Sequence, residues 1–155
     1  MSIIHVSTLS ELITALTSGD NDVYIDSDID CNDSPFTSST MCQGCNVYGQ
    51  GHTLYNMQTF SNISIFTTVS GKICHWYDTN FYNIYAGSTS IVFSSNHSSG
   101  SHEMILENCT IQGRWNSLTG RTTLKKCAVT GYGRLNASVN SGHLYAEYCY
   151  FNITY

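Results

Sequence analysis

Leu106-Glu107-Asn108-Cys109-Thr110-Ile111-Gln112-Gly113 and Leu124-Lys125-Lys126-Cys127-Ala128-Val129-Thr130-Gly131 are two copies of one pattern. Ala146-Glu147-Tyr148-Cys149-Tyr150-Phe151-Asn152-Ile153 is a third, and Tyr77-Asp78-Thr79-Asn80-Phe81-Tyr82-Asn83-Ile84 is a looser fourth. The template is an apolar residue, two variable positions, Cys or Asn, one variable position and a second apolar residue. Successive copies lie 29, 18 and 22 residues apart. That is too long and irregular for a hairpin meander and too short for strand–helix–strand units. It suits the coils of a solenoid, in which each coil stacks on the last at about 4.8 Å and like residues stack on like.

The rest of the chain reads as strand and turn, with one exception. Val23, Ile25, Ser27, Ile29 and Cys31 alternate with Tyr24, Asp26, Asp28 and Asp30, the period of a strand with one wet face. Val47 to Met57 and Ile63 to Phe66 give further short strands, separated by Gly, Asn and Ser. The exception is near the start. Leu9, Leu12, Ile13 and Leu16 form a helical stripe, Thr8 and Glu11 a capping box, and Gly19 a stop, so a helix is predicted over Thr8–Thr17.

Composition agrees. The chain has 155 residues, the size of one domain, and only 11% are charged, against roughly 25% in average proteins. Ser (21) and Thr (17) fill the gap, which argues against a helical bundle, while 12% aromatic residues argue against disorder. A net charge of −5 argues against nucleic-acid binding by bulk charge. Charge is segregated: residues 1–71 hold Glu11 and six Asp with no Lys or Arg, and all six basic residues follow. No run is long and apolar enough to insert in a membrane, and the first residues lack a signal-peptide pattern. Seven Cys cannot all pair internally, so a reducing cytoplasm is the expected site of synthesis. Six Asn-X-Ser/Thr sequons, at Asn32, Asn62, Asn96, Asn108, Asn136 and Asn152, are read as compositional.

The repeat, the Val6-Ser7-Thr8-Leu9-Ser10-Glu11-Leu12 opening, the Asp22-Val-Tyr-Ile25 strand and the Val47-Tyr-Gly49-Gln-Gly51 coil together resemble the right-handed parallel β-helix of the pectate-lyase-like superfamily, over roughly residues 3–153. The resemblance implies an all-β solenoid of about six short coils forming one domain, 1–155, with residues 1–20 as an N-terminal capping helix and 21–155 as coils. That family includes polysaccharide lyases, hydrolases and the tailspikes and other appendages of bacteriophages.

Each candidate site has a structural reading beside the functional one. Cys109, Cys127 and Cys149 share one template position and read as an inward ladder of small hydrophobes rather than a metal or redox site. Cys42-Gln-Gly-Cys45 reads as a loop between coils, with zinc as the main alternative, since no second CxxC completes a ligand set. Asp26, Asp28 and Asp30, flanked by Asp20, Asp22 and Asp33, present carboxylates that suit calcium, or a solvated acidic edge. No catalytic residue is assigned: Glu107 and Glu147 share a face with Lys125 between them, which reads as a ladder of opposite charges rather than a glycosidase pair. Arg114, Arg121 and Arg134 are placed in inter-coil loops. Tyr145, Tyr148 and Tyr150 are expected to face outward and, with Trp76 and Tyr155, to contact a glycan or partner. The absence of a polar cap after Tyr155 calls for the end of the solenoid to be covered.

These features favour a non-enzymatic structural or attachment component of a viral, bacteriophage, particle, displayed on the virion surface. The resemblance implies a homo-oligomer, a trimer, bound to other virion proteins and to cell-surface glycans. The alternatives are a polysaccharide lyase or glycoside hydrolase and a glycan-binding module. Two register expectations follow. Lys125 should lie between Glu107 and Glu147. Ile91–Phe93 should form a strand in a coil of its own, separating Asp78 from Glu107.

Overall fold

A computed structural model describes residues 1–32, 36–60, 62–87, 90–95, 103–136 and 143–155. Asp33 and the sequon at Asn96 lie outside the described residues. The chain forms one helix and short strands. In order these are β1 (Ser2–Val6), α1 (Leu9–Thr17), β2 (Asn21–Ile25), β3 (Ile29–Asp30), β4 (Thr40–Cys42), β5 (Cys45–Tyr48), β6 (Thr53–Tyr55), β7 (Gln58–Thr59) and β8 (Ser64–Thr68). Then follow β9 (Cys74–Tyr77), β10 (Asn80–Ala86), β11 (Ile91–Ser95), β12 (Met104–Glu107), β13 (Thr110–Gly120), β14 (Thr122–Lys125), β15 (Ala128–Asn136), β16 (Leu144–Glu147) and β17 (Tyr150–Thr154).

The strands make two all-parallel sheets. The first runs β1-β2-β5-β9-β12-β14-β16, so each pass of the chain adds one strand beside the previous one. The second runs β3-β6-β10-β13-β11-β8-β4, with β15 and β17 added beyond β13 and β7 beside β10. The long β13 belongs to two strips: its start pairs with β10 and its end with β11. Between the sheets lies a core containing Phe66, Trp76, Phe81 and Phe93, whose rings meet at centroid distances of 5.0–6.0 Å.

The helix spans Leu9–Thr17, as its sequence signals predict, but Ser2–Val6, expected to be part of the helical cap over residues 1–20, is instead the first strand of the first sheet, paired with β2. Thr8 is the helix N-cap, Glu11 completes the capping box, and Gly19 follows the C-cap at φ +130°. Leu12, Ala15 and Leu16 are buried against the first passes, while Leu9 and Ile13 are half-buried.

The repeat sets the register. Leu106, Leu124 and Ala146 lie directly across from one another, as do Ile111, Val129 and Phe151. Between the two sheets each copy turns through one residue in the left-handed conformation: Asp78, Asn108, Lys126 and Tyr148, at φ +48° to +54°. After that corner the Cys side chain turns inward. Each thiol points at the carbonyl two residues back and at a carbonyl of the preceding pass: Cys109 to Trp76, Cys127 to Leu106, Cys149 to Leu124, at 3.4–3.7 Å. Cys109 and Cys127 are buried, Cys149 is half-buried, and all three thiols are free. Lys125 lies across from both Glu107 and Glu147, as the ladder of opposite charges requires.

The looser copy is aligned differently from the expectation. Trp76, not Tyr77, lies across from Leu106, and Phe81 lies across from Ile111. Thr79 therefore occupies the Cys position and bonds the carbonyl two residues back, at 2.9 Å to Tyr77, as the thiols do. In a strand, a one-residue slip exchanges the two faces. Hence Trp76 is buried rather than exposed, and Tyr77 rather than Asp78 stands beside Glu107. The like-charge conflict inferred for Asp78 does not arise. Ile91–Phe93 is indeed within a strand, β11, but it lies between β8 and β13 in the second sheet and separates nothing.

The interior tapers. The column Trp76, Leu106, Leu124, Ala146 shrinks along the stack, and in the last pass Ala146 and Phe151 are exposed although their register is kept. Close stacking sets a second limit. A Cβ on Gly131 (φ +140°) would lie 2.0 Å from the Gly113 carbonyl oxygen. Gly131→Ala is therefore expected to destabilise by about 2 kcal/mol or more, through backbone strain and displacement of the neighbouring strand. Cys127→Ala, which loses packing alone, should cost about 1 kcal/mol. Urea unfolding of the two variants checks the order.

Candidate functional site

The outer face of the second sheet carries a column that the cross-strand register places in line: Gln58, Tyr85, Arg114, Tyr132 and Thr154, one from each of β7, β10, β13, β15 and β17. The cause is local. A register shift in β10, with Asn83 at φ +52°, and the glycines Gly113 and Gly131 fix which residue comes next on the outside. In each of the three central strands that residue is long and planar. Arg114 consequently lies between two rings, 5.8 Å from the centre of Tyr85 and 5.5 Å from that of Tyr132. Such cation–π contacts hold a guanidinium flat against the rings and leave its outer N–H groups free.

The arrangement extends at both ends. Phe60 packs on Tyr85 at 5.7 Å, and Tyr132 stacks on Tyr155 at 6.4 Å with 13° between the planes. Arg134 lies over the Tyr155 ring at 4.7 Å and donates a hydrogen bond to its hydroxyl. Beneath them Trp115 is buried and donates from Nε1 to the Arg134 carbonyl at 2.9 Å. Tyr85, Arg114, Trp115, Asn116, Tyr132 and Tyr155 line an open cleft of about 230 Å³, and no Asp or Glu is among the described residues that line it. Among the described residues neither Arg114 nor Arg134 is ion-paired. The guanidinium group is a planar fork of hydrogen-bond donors, which suits recognition of a partner group.

The first sheet carries a different outward column. His5, Tyr24, Tyr48 and Tyr77 stack at 4.8–5.3 Å, and the same line continues as Glu107, Lys125 and Glu147. His75 packs on Tyr77 at 3.8 Å and reaches Glu107 at 3.3 Å. Burial lowers its pKa against the pull of Glu107. Glu107 is thus engaged with His75 and lies across from Lys125, and it has no second carboxylate opposite it.

The remaining sequence candidates fall in several places. Trp76, expected at the surface, is packed between Phe66 and Phe81 and cannot touch a glycan. Tyr145, Tyr148, Tyr150 and Tyr155 are exposed, but only Tyr155 joins the cleft. Asp26, Asp28 and Asp30 are not on one strand face, because the chain turns between β2 and β3. Each has its own partner: Asp26 bonds His5 at 2.9 Å, Asp28 accepts from the Thr53 N–H at 2.9 Å and meets His52 at 3.2 Å, and Asp30 accepts from Asn56 at 2.9 Å. Among the described residues no group of three or more His, Cys, Asp or Glu is arranged to hold a metal ion.

Cys42 and Cys45 end β4 and begin β5, both buried. The Cys45 thiol points at the Gly19 carbonyl at 3.4 Å, just beyond the helix, and burial pushes it up to about 11. Cys31 is pushed up to about 12, again by burial. Contact with Cys42, then burial, hold Cys74 well above the ordinary thiol range. Protonated, buried thiols are poor nucleophiles and poor ligands. All are part of the core, and Cys45 fills space beside the end of the helix, against the Ala15 and Leu16 carbonyls.

Arg114 and Arg134, assigned to loops from the sequence, lie on β13 and β15. The signal for Arg114 was one position beyond the repeat template, where Ile84-Tyr85, Gly113-Arg114 and Gly131-Tyr132 are equivalent pairs, whereas Arg134 lies across from Ser117, outside that template. Among the described residues no helix is long and apolar enough to cross a membrane. No family model, no curated protein and no solved structure matches the chain.

The Asp28 contacts give a pH test. The Thr53 N–H, then His52, hold its pKa below the ordinary 3.8. A carboxylate with a depressed folded-state pKa stabilises fully above its unfolded pKa, and that contribution is lost as pH falls through the lower, folded value. Between about pH 5 and pH 2 the protein should lose more stability than Asp28→Asn does, as read by urea midpoints across that range.

Proposed function

We propose that the chain is a right-handed parallel β-helix serving as a structural and attachment component of a viral particle, most in keeping with a bacteriophage appendage, and that the cleft around Arg114 is where it touches a surface glycan. The observation that carries this reading is the Tyr85–Arg114–Tyr132–Tyr155 strip. Exposed tyrosines set by a rigid sheet present hydroxyls and large contact area at small entropic cost. The stacked Tyr24, Tyr48 and Tyr77 and the alternating charges of Glu107, Lys125 and Glu147 support a structural role, since these passes face compatible neighbours on the outside as well as in the core.

In this reading the protein assembles with further copies of itself, as a trimer, and with other virion proteins. A glycan-binding module acting without a particle is the second reading, favoured by the same cleft. An enzymatic reading has less support: Glu107 is held by His75 and lies opposite Lys125.

Two measurements test the proposal. Light scattering of the purified chain should give three times the monomer mass; a monomer at micromolar concentration removes the appendage reading and leaves the binding module. Incubation with a panel of polysaccharides, with and without calcium, should leave chain lengths unchanged while some of them bind. Shortened products would replace the proposal with the enzymatic alternative.

A further inference from the structure

The last pass is held to the molecule from one side only. β16 pairs with β14 and β17 with β15, and among the described residues no strand pairs beyond either. Ala146 and Phe151, which keep the register of the inward columns, are exposed there. An edge with few buried contacts opens locally at small cost. Of the seven thiols only Cys149 is not buried, and it belongs to this pass.

Its neighbour in the column is Cys127. Leu124 lies across from Ala146 before the corner, and Ala128 across from Tyr150 after it, so the two cysteines stand directly across from each other. Parallel neighbours in register are about 4.8 Å apart, inside the range of roughly 4.4–6.8 Å between the Cα atoms of a disulfide. Both thiols turn inward in the same way, each pointing at the carbonyl two residues back at 3.3 Å. They also touch each other. Contact with the Cys109 thiol first, and with Cys149 as well, holds Cys127 below the ordinary thiol range in spite of its burial. A thiol so placed is readier to act as a nucleophile than its buried counterparts.

We infer that Cys127 and Cys149 form a disulfide when the protein meets a hydroperoxide, Cys149 being the thiol that is oxidised and Cys127 the thiol that resolves it. In the first step the Cys149 sulfur attacks one oxygen of hydrogen peroxide. The O–O bond breaks, an S–O bond forms, and Cys149 becomes a sulfenic acid as one water leaves. In the second step the Cys127 sulfur attacks the Cys149 sulfur. The S–S bond forms, the S–O bond breaks, and the departing hydroxide takes the Cys127 proton as a second water. Two thiols lose two electrons and one peroxide is reduced to two waters. The link closes a loop through residues 127–149 and ties the last pass to the one before it, at the edge where strand pairing stops. Cys109 touches Cys127 from the other side but is buried, away from the oxidant. The inference is independent of what the cleft around Arg114 binds.

The test is treatment of the full chain with hydrogen peroxide, alkylation of the remaining thiols in denaturant, and peptide mapping by mass spectrometry. One intramolecular disulfide, Cys127–Cys149, is expected, with the other five cysteines alkylated. The Tm should rise by about 5 °C or more and return on addition of dithiothreitol. Cys149→Ser should slow the loss of thiols at least about tenfold, because no other thiol is exposed. Cys127→Ala should leave Cys149 to run on to sulfinic and sulfonic acid, and Cys109→Ala should form the link as the parent does. Circular dichroism melts establish that the variants fold.

A link between Cys109 and Cys127, a link between two chains through Cys149, or sulfinic acid at Cys149 in the parent without a link would each overturn the inference. So would thiol loss that Cys149→Ser leaves unchanged. A link that forms without raising the Tm would remove its part in holding the last pass.

Discussion

Parallel register between successive passes is the constraint from which the rest follows. In this molecule a residue's neighbours are set less by its own chain segment than by the residues one pass above and below it, about 4.8 Å away. The left-handed corner at Asp78, Asn108, Lys126 and Tyr148 transmits that register from the first sheet to the second. Every one of those corners is followed by an inward small residue, Thr79 or a cysteine. The identity of the corner residue varies, with Asp, Asn, Lys and Tyr all occupying it at positive φ, and Asn108 there donates to the Asp78 carboxylate one pass away. Function can therefore vary at the surface while the frame stays fixed.

The parts of this frame that were legible in the sequence are those where pattern and register coincide. Three cysteine copies with matching apolar partners gave the correct alignment of β12, β14 and β16. The capping box and apolar stripe gave α1. The failures have one physical origin. In the fourth copy Asn80 looks like the template's polar or cysteine position, yet the chain places Thr79 there. Both choices satisfy the pattern of apolar alternation, because aromatic residues stand at Trp76, Tyr77, Phe81 and Tyr82 on both faces. A two-fold period cannot distinguish a face from its opposite when both are aromatic. The acidic run failed for a related reason: alternation of Asp with apolar residues continues through the corner between β2 and β3, although the strand does not.

The cleft was hidden for a different reason. Its members come from strands whose spacing depends on a register shift in β10 and on backbone contact at Gly113 and Gly131, neither of which periodicity encodes. Tyr155 was singled out as an exposed aromatic at the end of the chain, whereas its partners Arg114, Arg134, Tyr85 and Tyr132 were dispersed over 50 residues of sequence. Only the cross-strand register makes Tyr85, Arg114 and Tyr132 consecutive.

The tapering interior gives the molecule a direction of assembly. The aromatic passes, with Phe66, Trp76, Phe81 and Phe93 between their sheets, follow passes whose column holds Val23 and Val47 and precede the narrow ones at the end of the stack. Their four large rings are fully buried, so a folding nucleus is expected there. Each later pass then needs only the strand edge already laid down as its template, which keeps loop closure short and growth one-dimensional. The slender passes that carry Arg134 and Tyr155 would be the last to be laid down. Growth of that kind shields the aromatic interior early and leaves the recognition surface for the final step of folding.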